Sequence, residues 1–242
     1  MKTFAENRAL QHTDTATLHF FHETAFFFDI ETTGFSPKNC PVYLIGCASR
    51  AGDVVTITQF FAETPEAEPE ILAAFADYCK SFTCAITFNG LTFDVPFLAE
   101  RCRQLGTPLD FSTLAHTDIF RQVSPFKKLF HLPNEQFLSL EREDLYSGGE
   151  LISVYQDYCR DQNEEKLSLL LLHNKEDVLG MIELLPVLSY PELFRGSFTI
   201  DGMELNSYQE YDGAAAQELY ISLRLFHPLP KRISRGREDI YL

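Results

Sequence analysis

The chain alternates short, densely apolar runs with longer stretches in which apolar residues recur every three or four positions. Ala25-Phe26-Phe27-Phe28 is four apolar residues in a row, the pattern of a strand buried on both faces. Strand-like runs follow near 42–49 and 53–61, separated by Gly34 to Pro37 and by Ala51-Gly52-Asp53. Connections this short predict antiparallel neighbours. The pattern then reads as a helix over about 68–81, a strand over about 83–88 and a helix over about 93–105. Pro96 falls in the first turn of that helix, where proline is tolerated. A strand near 115–119, a helix over about 150–161 after Gly148-Gly149, and a long helix over about 164–185 complete the series. Three strands followed by alternating helix and strand predict an α/β fold, a mixed β-sheet flanked by helices. Residues 1–23 read as an N-terminal lead-in and 24–190 as the main domain. The pattern breaks between Pro186 and Pro191, so 191–242 reads as a small C-terminal extension ending in the strand-like Asp239-Ile240-Tyr241-Leu242.

Composition narrows the class. With 242 residues, 45% hydrophobic and 13% aromatic, the chain can bury one sizeable core. Nothing approaches the ~18 apolar residues of a membrane span, and Met1-Lys2-Thr3 is not followed by a secretory apolar segment. Of the six cysteines, Cys47 and Cys84 fall in strand-like runs and Cys79 and Cys102 in helix-like ones. Reduced thiols pack there as small hydrophobes, and a cytoplasmic protein without disulfides is expected. A net charge of −15 argues against indiscriminate nucleic-acid binding. It leaves a metal-dependent enzyme open, because divalent ions carry their own positive charge to an acidic site. Basic residues cluster at Arg101 and Arg103, at Arg121, Lys127 and Lys128, and at Lys231, Arg232, Arg235 and Arg237; each cluster reads as a solvated face.

The candidate chemistry lies in the acids. Residues two apart on a strand point the same way, so Asp29 and Glu31 in Asp29-Ile30-Glu31-Thr32-Thr33-Gly34 project together from the end of a buried strand. Two carboxylates there repel and are poorly solvated unless a cation sits between them, and paired oxygens suit Mg²⁺ or Mn²⁺. The plain alternative is a strand running out into solvent with Thr-Thr-Gly as its turn. Asp94 follows Phe88-Asn89-Gly90-Leu91-Thr92-Phe93 and opens a helix, where the exposed amides favour any carboxylate. Asp177 is harder to place blandly, because Leu170, Met181 and Leu184 lie within roughly 40° of it on a helical wheel. It should point into an apolar face, where His173, four residues back, can satisfy it as a core pair.

In order and spacing, Asp29-Ile30-Glu31-Thr32-Thr33-Gly34, Phe88-Asn89-Gly90 through Asp94, and His173-Asn174-Lys175-Glu176-Asp177-Val178 resemble the three motifs of the DnaQ-like (DEDD) 3′–5′ exonucleases. That family belongs to the ribonuclease H-like superfamily. Leu44-Ile45-Gly46, His116-Thr117-Asp118 and Ser147-Gly148-Gly149-Glu150 are similar to its YprB-type branch, and the resemblance covers about 24–188. It implies a ribonuclease H-like sheet and four metal ligands, Asp29, Glu31, Asp94 and Asp177, for two Mg²⁺ or Mn²⁺ ions. Asp29 would bridge the ions, with Glu31 and Asp177 on the first and Asp94 supporting the second. Thr32 and Asn89 would meet the substrate, nucleic acid with a free 3′ end, single-stranded for preference.

The family's general base is a histidine five residues before the last aspartate or a tyrosine four before it. This chain has Leu172 and His173 at those positions. On a continuous helix the fifth residue back lies about 140° away and the fourth about 40°, so His173 is the candidate base. Asp118 reads as a helix cap. Phe126-Lys127-Lys128-Leu129-Phe130 alternates aromatic and basic residues as single-strand binders do, and Ser147-Gly148-Gly149 could offer amides to a phosphate. Two further readings stand beside the exonuclease: a non-catalytic nucleic-acid- or protein-binding module, which the acidic charge favours, and an endonuclease of the same superfamily.

Overall fold

The apolar run at Ala25 forms the heart of a six-stranded sheet with order β1-β4-β3-β2-β5-β6. These strands are β1 (Lys2–Ala9), β2 (Ala25–Thr32), β3 (Val42–Ala51), β4 (Val54–Phe61), β5 (Cys84–Thr87) and β6 (Ala115–Asp118). Pairing is antiparallel from β1 through β4 and β3 to β2, then parallel from β2 to β5 and β6. The computed structural model describes residues 1–130, 148–234, 236–237 and 240–241, without the side chains of 127–130, 148, 237 and 240–241. Ser147, Arg235, Asp239 and Leu242, singled out in the sequence, lie outside the described residues.

Both faces of β2 are covered, as four consecutive apolar residues require. Phe26, Phe28 and Ile30 pack on one side against α2 (Glu68–Cys79) and α3 (Asp94–Leu105). Ala25 and Phe27 pack on the other with α4 (Ile119–Phe130) and α6 (Glu164–Leu184). A third cluster joins α5 (Gly148–Asp161) to α6 through Leu151, Tyr155, Tyr158, Leu167 and Leu170 under Tyr43, Leu44 and Phe61. Period two therefore puts Asp29 and Glu31 on the Phe27 side, facing α6.

Local chemistry sets the helix that meets them. Asn163 caps α6, its side-chain oxygen accepting from the Glu165 and Lys166 N–H groups, with Glu164 and Glu165 in the favoured first turn. The helix then runs unbroken to Leu184, through both Leu172 and His173. Helix α3 ends where Gly106 takes a left-handed φ of 72°.

The lead-in carries more structure than its polarity suggests. β1 pairs with β4 as a polar edge strand bearing Lys2, Glu6 and Arg8, and α1 (Thr15–Phe20) is capped by Asp14. After α7 (Ser189–Phe194), strands β7 (Phe198–Gln209) and β8 (Ala215–Leu225) form a two-stranded ribbon apart from the main sheet. Cross-strand pairs Met203–Ile221 and Leu205–Leu219 leave one apolar side of the ribbon exposed. A short pair, β9 (Gly236–Arg237) and β10 (Ile240–Tyr241), follows. Among the described residues no helix is long and apolar enough to cross a membrane, and all six cysteines are free. Arg101 departs from the solvated face expected of it: it is buried and makes a two-pronged pair with Glu68.

Candidate active site

The end of β2 and the middle of α6 meet across the sheet face. Just beyond the two acids the register between β2 and β3 shifts by one residue: Glu31 pairs with Leu44 and Thr32 with Val42, leaving Tyr43 of β3 as the extra residue. Glu31 is buried, and its Oε1 lies 3.7 Å from His173 Nε2. The same nitrogen is 3.2 Å from Asp177 Oδ2, four residues along the helix. One ligand atom each from Glu31, His173 and Asp177 lie within 4.8 Å of one another, a group that could hold a metal ion. Two carboxylate oxygens and an imidazole nitrogen are a donor set that divalent cations accept.

Asp29 and Asp94 stand next to this group rather than in it. An Asp29 carboxylate oxygen, Oδ2, accepts from Asn174 Nδ2 at 3.2 Å, and its backbone carbonyl accepts from the same nitrogen at 3.4 Å. Asp94 Oδ1 accepts from the Ile30 N–H at 3.2 Å, which fastens the start of α3 to β2 between the two acids. The site expected from four acids therefore has a nearest cluster containing two of them plus His173. Asp94 opens α3 as the acidic residue of its first turn, as expected, and is in addition buried against the strand. Burial pushes its pKa up to about 6 against the opposing Ile30 N–H, and neighbouring Asp118 adds to the rise.

Asp177 also differs from expectation. Its side chain keeps 30% exposure, although Leu170, Met181 and Leu184 on the same side of α6 are buried. His173, one turn back on the helix, faces Glu31 of β2, while Val178 and Met181 join the cluster that holds Phe27. Because α6 is continuous, His173 shares the Asp177 face, as the helical wheel requires.

Of the residues expected at the substrate, Thr32 ends β2 and Asn89 lies in the loop after β5. Thr32 Oγ1 donates to the Gly34 carbonyl at 2.9 Å. Asn89 adopts a left-handed φ of 62°, and its N–H donates to Asp118 Oδ1 at 3.0 Å. Asp118 does cap α4, accepting from the Arg121 N–H at 3.1 Å. It also accepts from the Leu91 N–H at 3.0 Å, so one buried carboxylate pins the loop that delivers Asp94.

Three residues escaped the sequence reading. Asn174 and Gln59 form a buried amide chain to Asp29. The Tyr43 hydroxyl is buried and has no hydrogen-bond partner among the described residues; burial pushes its pKa up, with the Glu31 charge adding to it. Gln59 inside the apolar run Val55 to Phe61, and Gly46 inside Val42 to Ala48, were the available signals, since glycine in a strand often marks a close approach.

A mixed sheet flanked by helices, with carboxylates gathered at the end of its central strand, defines an α/β fold of ribonuclease H-like architecture. The chain belongs to the RNase_H superfamily: the RNase_H_2 family model matches residues 26–189, well over half of it. No curated protein matches the chain. Solved structures similar to it include the family B DNA polymerase of the hyperthermophilic archaeon Pyrobaculum calidifontis, at 22% identity and a TM-score of 0.51, over 68% of this chain and 25% of the polymerase. Escherichia coli ExoI, in a metal-free form of its ssDNA complex, aligns at 17% identity and a TM-score of 0.39, over 71% of this chain and 41% of ExoI. The chain thus spans a quarter to two-fifths of these proteins, and at such identities the polymerase likeness bears on the fold alone.

Proposed function

We propose that this chain is a metal-dependent 3′–5′ exonuclease of the YprB-type branch, hydrolysing phosphodiester bonds in single-stranded nucleic acid from a free 3′ end. The observation that carries the reading is the meeting of Glu31, His173 and Asp177 in one ligand-sized group, with Asp29 and Asp94 fastened beside it. Asp29, Glu31, Asp94 and Asp177 would hold two Mg²⁺ or Mn²⁺ ions. Such ions supply Lewis-acid polarisation of the phosphate and screen the carboxylates from one another. His173 serves as proton acceptor or orients the attacking water, since its imidazole already lies among the acids. Thr32, at the end of β2, and Asn89, in the loop after β5, would border the substrate, and a cytoplasmic setting suits six free thiols.

The net charge of −15 favours a second reading, a non-catalytic binding module. Incubation of 5′-labelled DNA and RNA oligomers with Mn²⁺ or with EDTA separates the two. The exonuclease reading expects a metal-dependent ladder that a 3′-phosphate blocks and a 5′ block does not. Efficient cutting of a circular single strand would instead promote the endonuclease, and inertness with every substrate would favour the binding module.

A further inference from the structure

Asp29, Gly46 and Gln59 stand in a row across β2, β3 and β4, each the register partner of the next. Paired residues share a sheet face, yet the middle one has no side chain. Asn174 of α6 fills that space. A Cβ built on Gly46 would run into Asn174 Oδ1 and lie 2.7 Å from its Cγ, closer than real carbons approach. Asn174 is wholly buried, so each of its polar atoms must be satisfied from within the protein.

The polarity of the row is set from the main chain. Gln59 Nε2 donates to the Leu171 carbonyl at 2.9 Å, and a carbonyl can only accept. Its second hydrogen goes to Asn174 Oδ1 at 3.0 Å. With its oxygen so engaged, Asn174 can present only its Nδ2 donors to Asp29, which it does at the carboxylate and at the backbone carbonyl. A neutral amide donor facing Asp29 stabilises the ionised carboxylate and restricts its rotation.

We propose that Asn174, oriented by Gln59 and admitted by Gly46, is a positioning residue that holds the Asp29 carboxylate in its metal-binding orientation. The proposal rests on the reading above that Asp29 ligates a divalent ion. Partners that orient metal ligands from behind are worth about 10- to 100-fold in metal affinity or activity. The competing role is purely structural, an amide that joins three strands to a helix; its loss would lower stability and leave the site of each folded molecule unchanged.

The test is a Mn²⁺ titration of the full chain, followed by the electron paramagnetic resonance of free Mn²⁺, alongside kcat and KM on a single-stranded oligomer. Folded Asn174→Ala should bind Mn²⁺ about 10- to 100-fold more weakly, with kcat reduced and KM for the oligomer little changed. Gly46→Ala should reproduce the loss by displacing Asn174, and should add nothing in an Asn174→Ala background, where its methyl group enters vacated space. Wild-type Mn²⁺ affinity in folded Asn174→Ala would overturn the proposal. If that variant does not fold, Gln59→Met decides: it keeps Asn174 but removes the donor that orients it, and unchanged Mn²⁺ affinity would be equally fatal. A wild-type chain that takes up no Mn²⁺ would overturn the metal-site reading itself and the proposal with it. A wild type that binds, with every variant matching it, would overturn the positioning role alone.

Discussion

His173 is the residue proposed above as base or water-orienting group, and its surroundings sharpen what its removal should do. It touches Asp177 and approaches Glu31 from a buried position on α6. As base or water-orienting group, His173→Ala should lower turnover roughly 10²- to 10⁴-fold in a protein that still folds. Turnover within a few-fold of wild type, with a lowered melting temperature, would assign it to the core pair instead. Asp94 gives a second measurement at this scale. Its folded pKa of about 6 lies above the ordinary 3.8, because burial disfavours the charged form. The folded state therefore binds the extra proton between those two values. At this group, stability of the metal-free protein is greatest in acid and is lost as pH rises through about 6. In EDTA near neutral pH, Asp94→Asn should melt higher than wild type, and the gain should vanish on acidification below the ordinary carboxylate range. An equal gain at both ends would refute the ionisation account.

At the scale of elements, a buried pair between two helices shapes the loop beyond the site. Arg101 on α3 binds Glu68 on α2 with two nitrogens, and their side chains keep only 10% and 3% exposure. The pair reaches outward as well: Glu68 Oε1 accepts from the Val42 N–H at 2.8 Å, and Arg101 Nη1 donates to the Pro37 carbonyl at 3.2 Å. Removing one partner leaves the other charge buried and releases one of the two anchors of the β2–β3 loop, Pro37 held by Arg101 or Val42 held by Glu68. Urea unfolding of Arg101→Ala should show a loss of about 3–5 kcal/mol. A loss below about 1 kcal/mol would mean that the pair behaves as a surface salt bridge. The β7–β8 ribbon should behave in the opposite way. Two strands without a covering layer are marginal by themselves, so their amides should exchange with deuterium far sooner than those of β2 and β3. Matching protection would show that the ribbon is held as firmly as the main sheet.

Over the whole molecule, acids dominate both the surface and the site, at a net charge of −15. Bringing Glu31, Asp177, Asp29 and Asp94 toward one end of β2 is repulsive until cations join them. Divalent ions should therefore stabilise the fold by mass action, by about 2.7 kcal/mol at one hundred times the dissociation constant. Thermal melts with and without millimolar Mn²⁺ measure this, and Asp29→Asn should remove most of the gain. A melting temperature that Mn²⁺ leaves unmoved would count against the site as a whole.

Much of this was legible in the residues. The run Ala25 to Phe28 announced a doubly buried strand, and period two alone placed Asp29 and Glu31 on one face. The 100° step of a continuous helix brought His173, not Leu172, to the side of Asp177. These features depend on local geometry, which sequence spacing carries. The edge strand β1 was missed because an edge needs no buried run, only a neighbour with free backbone groups. Arg101 looked like surface charge because its partner, Glu68, lies on another helix. The two-carboxylate, one-imidazole cluster, the burial of Asp94 on the Ile30 amide, and the Gln59–Asn174–Asp29 chain likewise join residues 31 to 177, 30 to 94 and 29 to 174. No periodicity records such meetings. They exist only once the packing of α3 and α6 on the sheet has settled which polar groups must satisfy one another away from water.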